Sequence, residues 1–175
     1  MITIRELHNN DINLLVDSFA NHNWQKPTSL FEGYVKEQQE GIRQAWVAFI
    51  DQKIAGYVTL NWHSHYEPFA THNIPEIMDL NVLPPFRCRG VGSRLLATAE
   101  EAARGKSSIV GLGVGLYDGY GHAQKLYVKH GYIPDGNGPT YNYAPLSYGQ
   151  SVLVDDDLVL WFTKTLIDNT IARKM

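Results

Sequence analysis

LNVLPPFRCRGVGSRLL, Leu80 to Leu96, is the stretch from which the rest of the chain can be read. Leu80 and Val82 have strand parity, Pro84 and Pro85 turn the chain, and the loop Arg87, Cys88, Arg89, Gly90, Val91, Gly92, Ser93 runs straight into an apolar-periodic helix. A strand that feeds a helix through so short a loop leaves the first backbone N–H groups of the helix without intrahelical partners, and such donors suit a phosphate. Gly90 and Gly92 allow close backbone approach and unusual φ, while Arg87 and Arg89 add positive charge. The segment reads as an anion cradle suited to a diphosphate.

Other phosphate motifs do not fit. There is no GxxxxGK string followed by Ser or Thr, and no GxGxxG fingerprint follows this strand. What stands here is RxxGxG, Arg87 to Gly92, preceded by LxVxP, Leu80 to Pro84. That combination resembles the acyl-CoA loop of the GNAT superfamily of N-acetyltransferases, and the match runs without a gap from Leu80 to Leu96. The resemblance implies acetyl-CoA as acyl donor, bound by Leu80, Val82, Arg87, Cys88, Arg89, Gly90, Val91, Gly92 and Ser93. A second string, AQKLYVKHGYIPDG from Ala123 to Gly136, resembles the other signature of the family and implies that Tyr127 sits beside the thioester sulfur. The family usually carries Asn seven residues before that tyrosine; here the position is Tyr120. Glu76, four residues before Leu80, stands where histone-type members carry their general base, and Asp79 is the second choice.

The fold that the resemblance implies is α/β (α+β): one GNAT-like domain over residues 1–175. Its central mixed, mostly antiparallel sheet has about seven strands, strands 4 and 5 splayed, with about four flanking helices. The composition agrees. A chain of 175 residues with 44% hydrophobic content can build one well-buried core. A net charge of −3 gives no global basic field of the kind that marks a nucleic-acid binder, so any polyanion site must be local. One cysteine, no signal-peptide pattern at MITIRELHNND and no apolar run near the ~18 residues of a membrane span predict a cytoplasmic, disulfide-free protein with no membrane partner.

Along the chain, Ile2 to Arg5 alternates as a strand, and Asn9, Asn10 and Asp11 offer an N-cap for a helix carrying Leu14, Leu15, Val16 and Phe19. A second helix is expected from Ser29 to Gly41, with Trp24 and Phe31 as acceptor-wall or packing residues. Ala45 to Ile50 and Ile54 to Trp62 read as a hairpin joined through Asp51, Gln52 and Lys53, its second strand putting Tyr57, Thr59, Asn61 and, where the strand runs that far, His63 opposite the apolar set. His63 and His65 lack a third ligand at a suitable spacing, so no metal is expected, and His63 to Asn73 reads as a variable loop near the acceptor. In the helix after the cradle, Val91, Leu95, Leu96, Ala99, Ala102 and Ala103 keep helical spacing, and Glu100 and Arg104 form an i,i+4 pair on the wet side. The alternate glycines of Gly111 to Gly115 lie inside a strand and mark close approach by another group. Leu158 to Phe162 reads as a core strand, and Asp155 to Asp157 as a solvated turn or a cation-attracting patch.

The implied chemistry sets its own requirements. An alkylamine near the lysine reference pKa of ~10.4 is protonated at neutral pH, so a base must free it before it can attack a thioester. Glu76 is the candidate base, a backbone N–H of the Leu80 to Val82 strand the oxyanion donor, and Tyr127 the group that meets the leaving thiolate. The expected activity is therefore N-acetyl transfer from acetyl-CoA to a primary amine by direct attack in a ternary complex. The alternative is a non-catalytic acyl-CoA-binding sensor, which would have no need of both Glu76 and Tyr127. The acceptor stays open among polyamine, aminoglycoside, amino acid, peptide N-terminus and protein lysine, and a homodimer is compatible with the family. Cys88, between two arginines at a helix N-terminus, is in a setting that favours thiolate.

Overall fold

The structure is a computed structural model and describes residues 1–166. Nine strands and five α-helices are present among the described residues, against about seven and four expected, and three of the strands (Ile133–Pro134, Thr140–Tyr141 and Ala144–Pro145) have only two residues each. The mixed α/β class is as expected. The described residues fall into two compact units, the first Met1–Trp62 with Ile77–Ala99, the second His63–Glu76 with residues 100–166.

In the first unit, β1 (Ile2–Glu6), β2 (Arg43–Ile50) and β3 (Lys53–Asn61) pair antiparallel in that order, and β4 (Glu76–Val82), which lies in this unit from Ile77 onward, follows β3. Asp51 and Gln52, both with positive φ (49° and 64°), close the β2–β3 hairpin by themselves, and Lys53 already belongs to the strand. Helix α1 (Ile12–Ala20) and helix α2 (Thr28–Gln39) bury Leu15, Phe19, Phe31 and Tyr34 against Val47, Ile54, Tyr57 and Leu83. Asn9–Asp11 forms a 3₁₀ turn that leads into the helix, and Asp11 stands at the N-cap position as expected, but its carboxylate makes no capping bond to α1 and instead accepts the His8 N–H at 2.9 Å and a two-pronged contact from Arg5. Phe31 is fully buried, so it packs the core and forms no acceptor wall.

The polar set of β3 is not the wet face that alternation suggests. Ile54 to Asn61 is buried on both sides. Thr59 is bonded locally: Arg43 donates to its hydroxyl at 2.8 Å, and that hydroxyl donates to the Met78 carbonyl at 3.3 Å. β3 also ends at Asn61, which takes His63 out of the strand.

In the second unit, β5 (Ile109–Gly115) pairs antiparallel with β9 (Leu158–Thr165), and β6 (Ile133–Pro134) and β7 (Thr140–Tyr141) also pair with β9, while β8 (Ala144–Pro145) pairs with β7. The segment read as a variable loop instead holds helix α3 (Glu67–Thr71), and its aromatics are core: Tyr66, Phe69 and Trp161 form one buried cluster. Gly111 explains itself here, because a Cβ at that position would lie 2.2 Å from the Phe69 ring. The close approach read from the glycine spacing is made by an aromatic side chain.

Helix α4 (Val91–Arg104) starts in the first unit and ends in the second. Of its expected apolar face, Val91, Leu95, Leu96, Ala99 and Ala103 are buried, while Ala102 is only half-buried. The expected Glu100–Arg104 surface pair is absent. Glu100 is only 6% exposed and accepts the Lys164 ammonium at 2.7 Å, whereas Arg104 pairs with Glu101 three residues back. Ala99 and Ala103, on the same face as Glu100, turn that side of the helix inward, so the acid needs a paired cation. None of the described helices is long and apolar enough to cross a membrane.

Candidate active site

The cradle is built by a sharp exit from β4. Leu83 is buried and its N–H is held by the Ala55 carbonyl at 2.9 Å; Pro84–Phe86 then forms a single 3₁₀ turn. Arg87 returns its Nε to the Val82 carbonyl at 3.1 Å, so its side chain braces the loop from strand to turn. Cys88 and Gly90 both take the left-handed conformation, with φ of 56° and 82°, and α4 begins at Val91. Alternating backbone hand turns successive N–H groups toward one side and makes a concavity that accepts anions, and the open first turn of a 14-residue helix adds donors. Arg89 is exposed, its guanidinium 5.8 Å from the Phe86 ring centre, and Cys88 is exposed. Val91 is buried and anchors the helix, while Gly92 and Ser93 are half-buried. Leu80 and Val82 are half-buried at the end of β4.

β4 is irregular at its centre. Asp79, with φ of 52°, is left-handed inside the strand and breaks the simple parity of Glu76, Met78, Leu80 and Val82. Its exposed carboxylate accepts the Tyr34 hydroxyl. Burial and then the Asp79 charge push the Tyr34 hydroxyl far above the usual tyrosine range, and the same two causes act on Tyr57. Both phenols are held in the neutral form, and Tyr34 is the one that donates to Asp79. Around them lie Arg43, 5.0 Å over the Tyr34 ring, and Lys26, over Trp24 at 4.9 Å and Tyr57 at 5.9 Å.

Glu76 is 4% exposed, not the surface acid that the start of a strand would suggest. It belongs to the second unit and accepts the Ser64 hydroxyl at 2.6 Å. In the same unit, Tyr127 lies on helix α5 (Gly121–Lys129), which ends at His130 and turns through left-handed Gly131. The Tyr127 ring is buried, 5.9 Å from Tyr132. Tyr120, in place of the usual Asn, packs its ring where a Gly115 Cβ would stand and donates its hydroxyl to Asp156 at 3.1 Å, alongside Tyr117 at 2.7 Å. Its hydroxyl is thus bonded to the acidic turn. Asp155 in turn accepts the Tyr141 hydroxyl at 2.9 Å. The acidic turn is tied down by tyrosines, which fits the solvated-turn reading better than a free cation-attracting patch. Among the described residues no three His, Cys, Asp or Glu side chains gather as a metal site, and His65 instead meets Tyr143 edge-on at 6.2 Å. Ser64 and Tyr34 were not legible as site residues: one is a serine in a polar segment, the other an apolar-face aromatic of a helix.

The sequence profile of the acetyltransferase (GNAT) family matches residues 12–132, which include the cradle, Glu76 and Tyr127. The chain belongs to the GNAT acetyltransferase family. Solved GNAT structures share its fold at low identity. A ribosomal-protein-alanine N-acetyltransferase from Brucella melitensis is 19% identical, covers 94% of this chain and 99% of its own, and superposes with a TM-score of 0.67. The yncA protein of Salmonella typhimurium, solved with its cofactor acetyl-CoA, is 16% identical over 95% of each chain, with a TM-score of 0.68. A chimera of Vibrio cholerae spermidine N-acetyltransferase SpeG and hSSAT is 16% identical over 94% of this GNAT chain and 95% of its own, with a TM-score of 0.67. No curated protein matches the chain in sequence.

Proposed function

We propose that this chain is an N-acetyltransferase that moves the acetyl group of acetyl-CoA to a primary amine by direct attack in a ternary complex, residues 1–175 acting as one functional domain. The observation that carries the reading is the cradle itself: left-handed Cys88 and Gly90, Arg87 braced on Val82, and a helix opening at Val91, in a chain of the GNAT family. Backbone N–H groups of Arg89 to Ser93 suit the pyrophosphate, and Leu80 and Val82 suit an extended pantetheine arm lying along β4. Acetyl-CoA supplies an activated acyl group. The acetyl-CoA bound in yncA supports this choice of donor, and the alanine and spermidine acceptors named for the other two structures support an amine as acceptor.

Each proposed step has its residue. Glu76 takes the proton of the incoming ammonium, since a buried carboxylate is a better base than an exposed one. A backbone N–H near the irregular centre of β4 meets the developing oxyanion. Tyr127 hands a proton or a hydrogen bond to the leaving sulfur. The single cysteine, an exposed free thiol, supports a cytoplasmic site of action.

Calorimetry on wild type and Gly92→Glu tests the donor site. Acetyl-CoA is expected to bind wild type in the micromolar range, about 8 kcal/mol, and to lose at least tenfold on the variant, whose carboxylate opposes the pyrophosphate. A thiol-release screen over spermidine, 2-phenylethylamine and an alanyl peptide then tests transfer. Acetyl-CoA binding with no turnover on any amine would favour the sensor alternative.

A further inference from the structure

The segment after β3 supplies a residue that faces the proposed base. Ser64 is 7% exposed, and its hydroxyl makes two bonds of opposite sense: it accepts the Tyr66 backbone N–H at 3.0 Å and donates to Glu76 Oε2 at 2.6 Å. The amide N–H can only donate, so it leaves the single hydroxyl proton for the carboxylate. Tyr66 is itself held hard. Its ring stacks on Trp161 with centroids 4.1 Å apart and planes 3° from parallel, it meets Phe69 edge-on at 4.9 Å, and its own hydroxyl donates to Asp135 at 2.7 Å. A packed aromatic cluster thus fixes a backbone N–H, the N–H fixes a hydroxyl, and the hydroxyl fixes one oxygen of Glu76.

We propose that Ser64 is a positioning residue for acetyl transfer, holding the Glu76 carboxylate in the rotamer from which it takes the acceptor's proton. The inference rests on the reading of Glu76 as base. The choice of a hydroxyl has a chemical reason: it orients a carboxylate without the positive charge an arginine or lysine would bring, and so restrains the group while leaving it able to accept a proton. The proton moves from the acceptor nitrogen to Glu76, and Ser64 keeps its own throughout. Holding a reacting group in place in this way is commonly worth one or two orders of magnitude in rate.

A double-mutant cycle tests it. Wild type, Ser64→Ala, Glu76→Gln and the double variant are compared for kcat and KM in thiol release from acetyl-CoA, with whichever of spermidine, 2-phenylethylamine and an alanyl peptide turns over fastest, and for acetyl-CoA affinity by calorimetry. Ser64→Ala is expected to lower kcat about 10–100-fold with acetyl-CoA affinity within about twofold of wild type, and to lower nothing further in the Glu76→Gln background. Unchanged kcat in Ser64→Ala, or an equal loss in both backgrounds, overturns the inference while leaving the base reading intact. Full activity in Glu76→Gln overturns the base reading and the inference with it, as does the absence of turnover on every amine. If circular dichroism shows Ser64→Ala unfolded, Ser64→Cys takes its place, with a weaker donor of nearly the same shape. A fall in kcat confined to the Glu76 background then supports the inference, and no fall overturns it.

Discussion

Asp79 occupies a conformation that costs an ordinary L-residue on the order of 1–2 kcal/mol, in the middle of a strand. Such strain persists only where surrounding contacts over-determine it, and here the Tyr34 hydroxyl holds the carboxylate. Asp and Asn bear the left-handed region better than Ala, and an Asn carbonyl still accepts a phenol. Asp79→Asn should therefore unfold within about 1 kcal/mol of wild type in urea, whereas Asp79→Ala, which leaves the Tyr34 hydroxyl without its acceptor, should lose about 1–3 kcal/mol. An Asp79→Ala protein as stable as wild type would remove the bond from the account. Asp11 makes a separate claim about pH. Burial raises its pKa, but the Arg5 hydrogen bonds, the His8 N–H and the Arg5 charge outweigh burial and hold it below the usual carboxylate range. With the folded value below the unfolded ~3.9, its contribution is fully present above that value and is lost as pH falls through the folded one. Urea melts across the acid range should show a shallower loss of stability in Asp11→Asn than in wild type; parallel curves would contradict the linkage.

At the scale of elements, local signals were legible and long-range ones were not. The turn of the cradle and the apolar face of α4 could be read because turn glycines and helical spacing lie within a few residues of what they determine. The irregularity of β4 could not, since it shows only as a backbone angle at Asp79. The pairing of Glu100 was misread for the same reason: an i,i+4 rule sees only its own helix, and the true partner, Lys164, is 64 residues away on β9. Ser64 and Glu76 meet across 12 residues, with Ser64 in a segment whose composition gave no sign of a packed helix and aromatic core. The Glu100 pair carries its own prediction. Lys164→Met leaves a buried carboxylate without its cation; as Lys164 is partly exposed, the loss should be about 2–3 kcal/mol, below the ~3–5 of a fully buried pair. Adding Glu100→Leu should restore most of it. Equal instability in the single and double variants would mean that packing, not charge, sets the cost.

For the whole molecule, the chain carries a net charge of −3 and is proposed to bind a ligand that is itself strongly anionic. Long-range attraction cannot explain such binding, so short-range donors must dominate and the arginines act over a few ångströms. Arg87 is braced against the Val82 carbonyl, which leaves exposed Arg89 as the side chain with most freedom to meet phosphate. At a Debye length of about 8 Å in physiological salt, an exposed charge contributes roughly 0.2–1 kcal/mol and is screened as salt rises. Arg89→Ala should thus weaken acetyl-CoA binding about two- to fivefold at low ionic strength, with the gap narrowing toward nothing near 0.5 M salt. Gly92→Glu acts at contact distance on the backbone cradle, so its loss should persist across the same range. Calorimetric titrations of wild type and both variants at two salt concentrations separate these terms. If the Arg89→Ala deficit stays constant while the Gly92→Glu deficit fades, side-chain charge holds the anion at short range, and the left-handed backbone of the cradle is scaffold and not the binding surface.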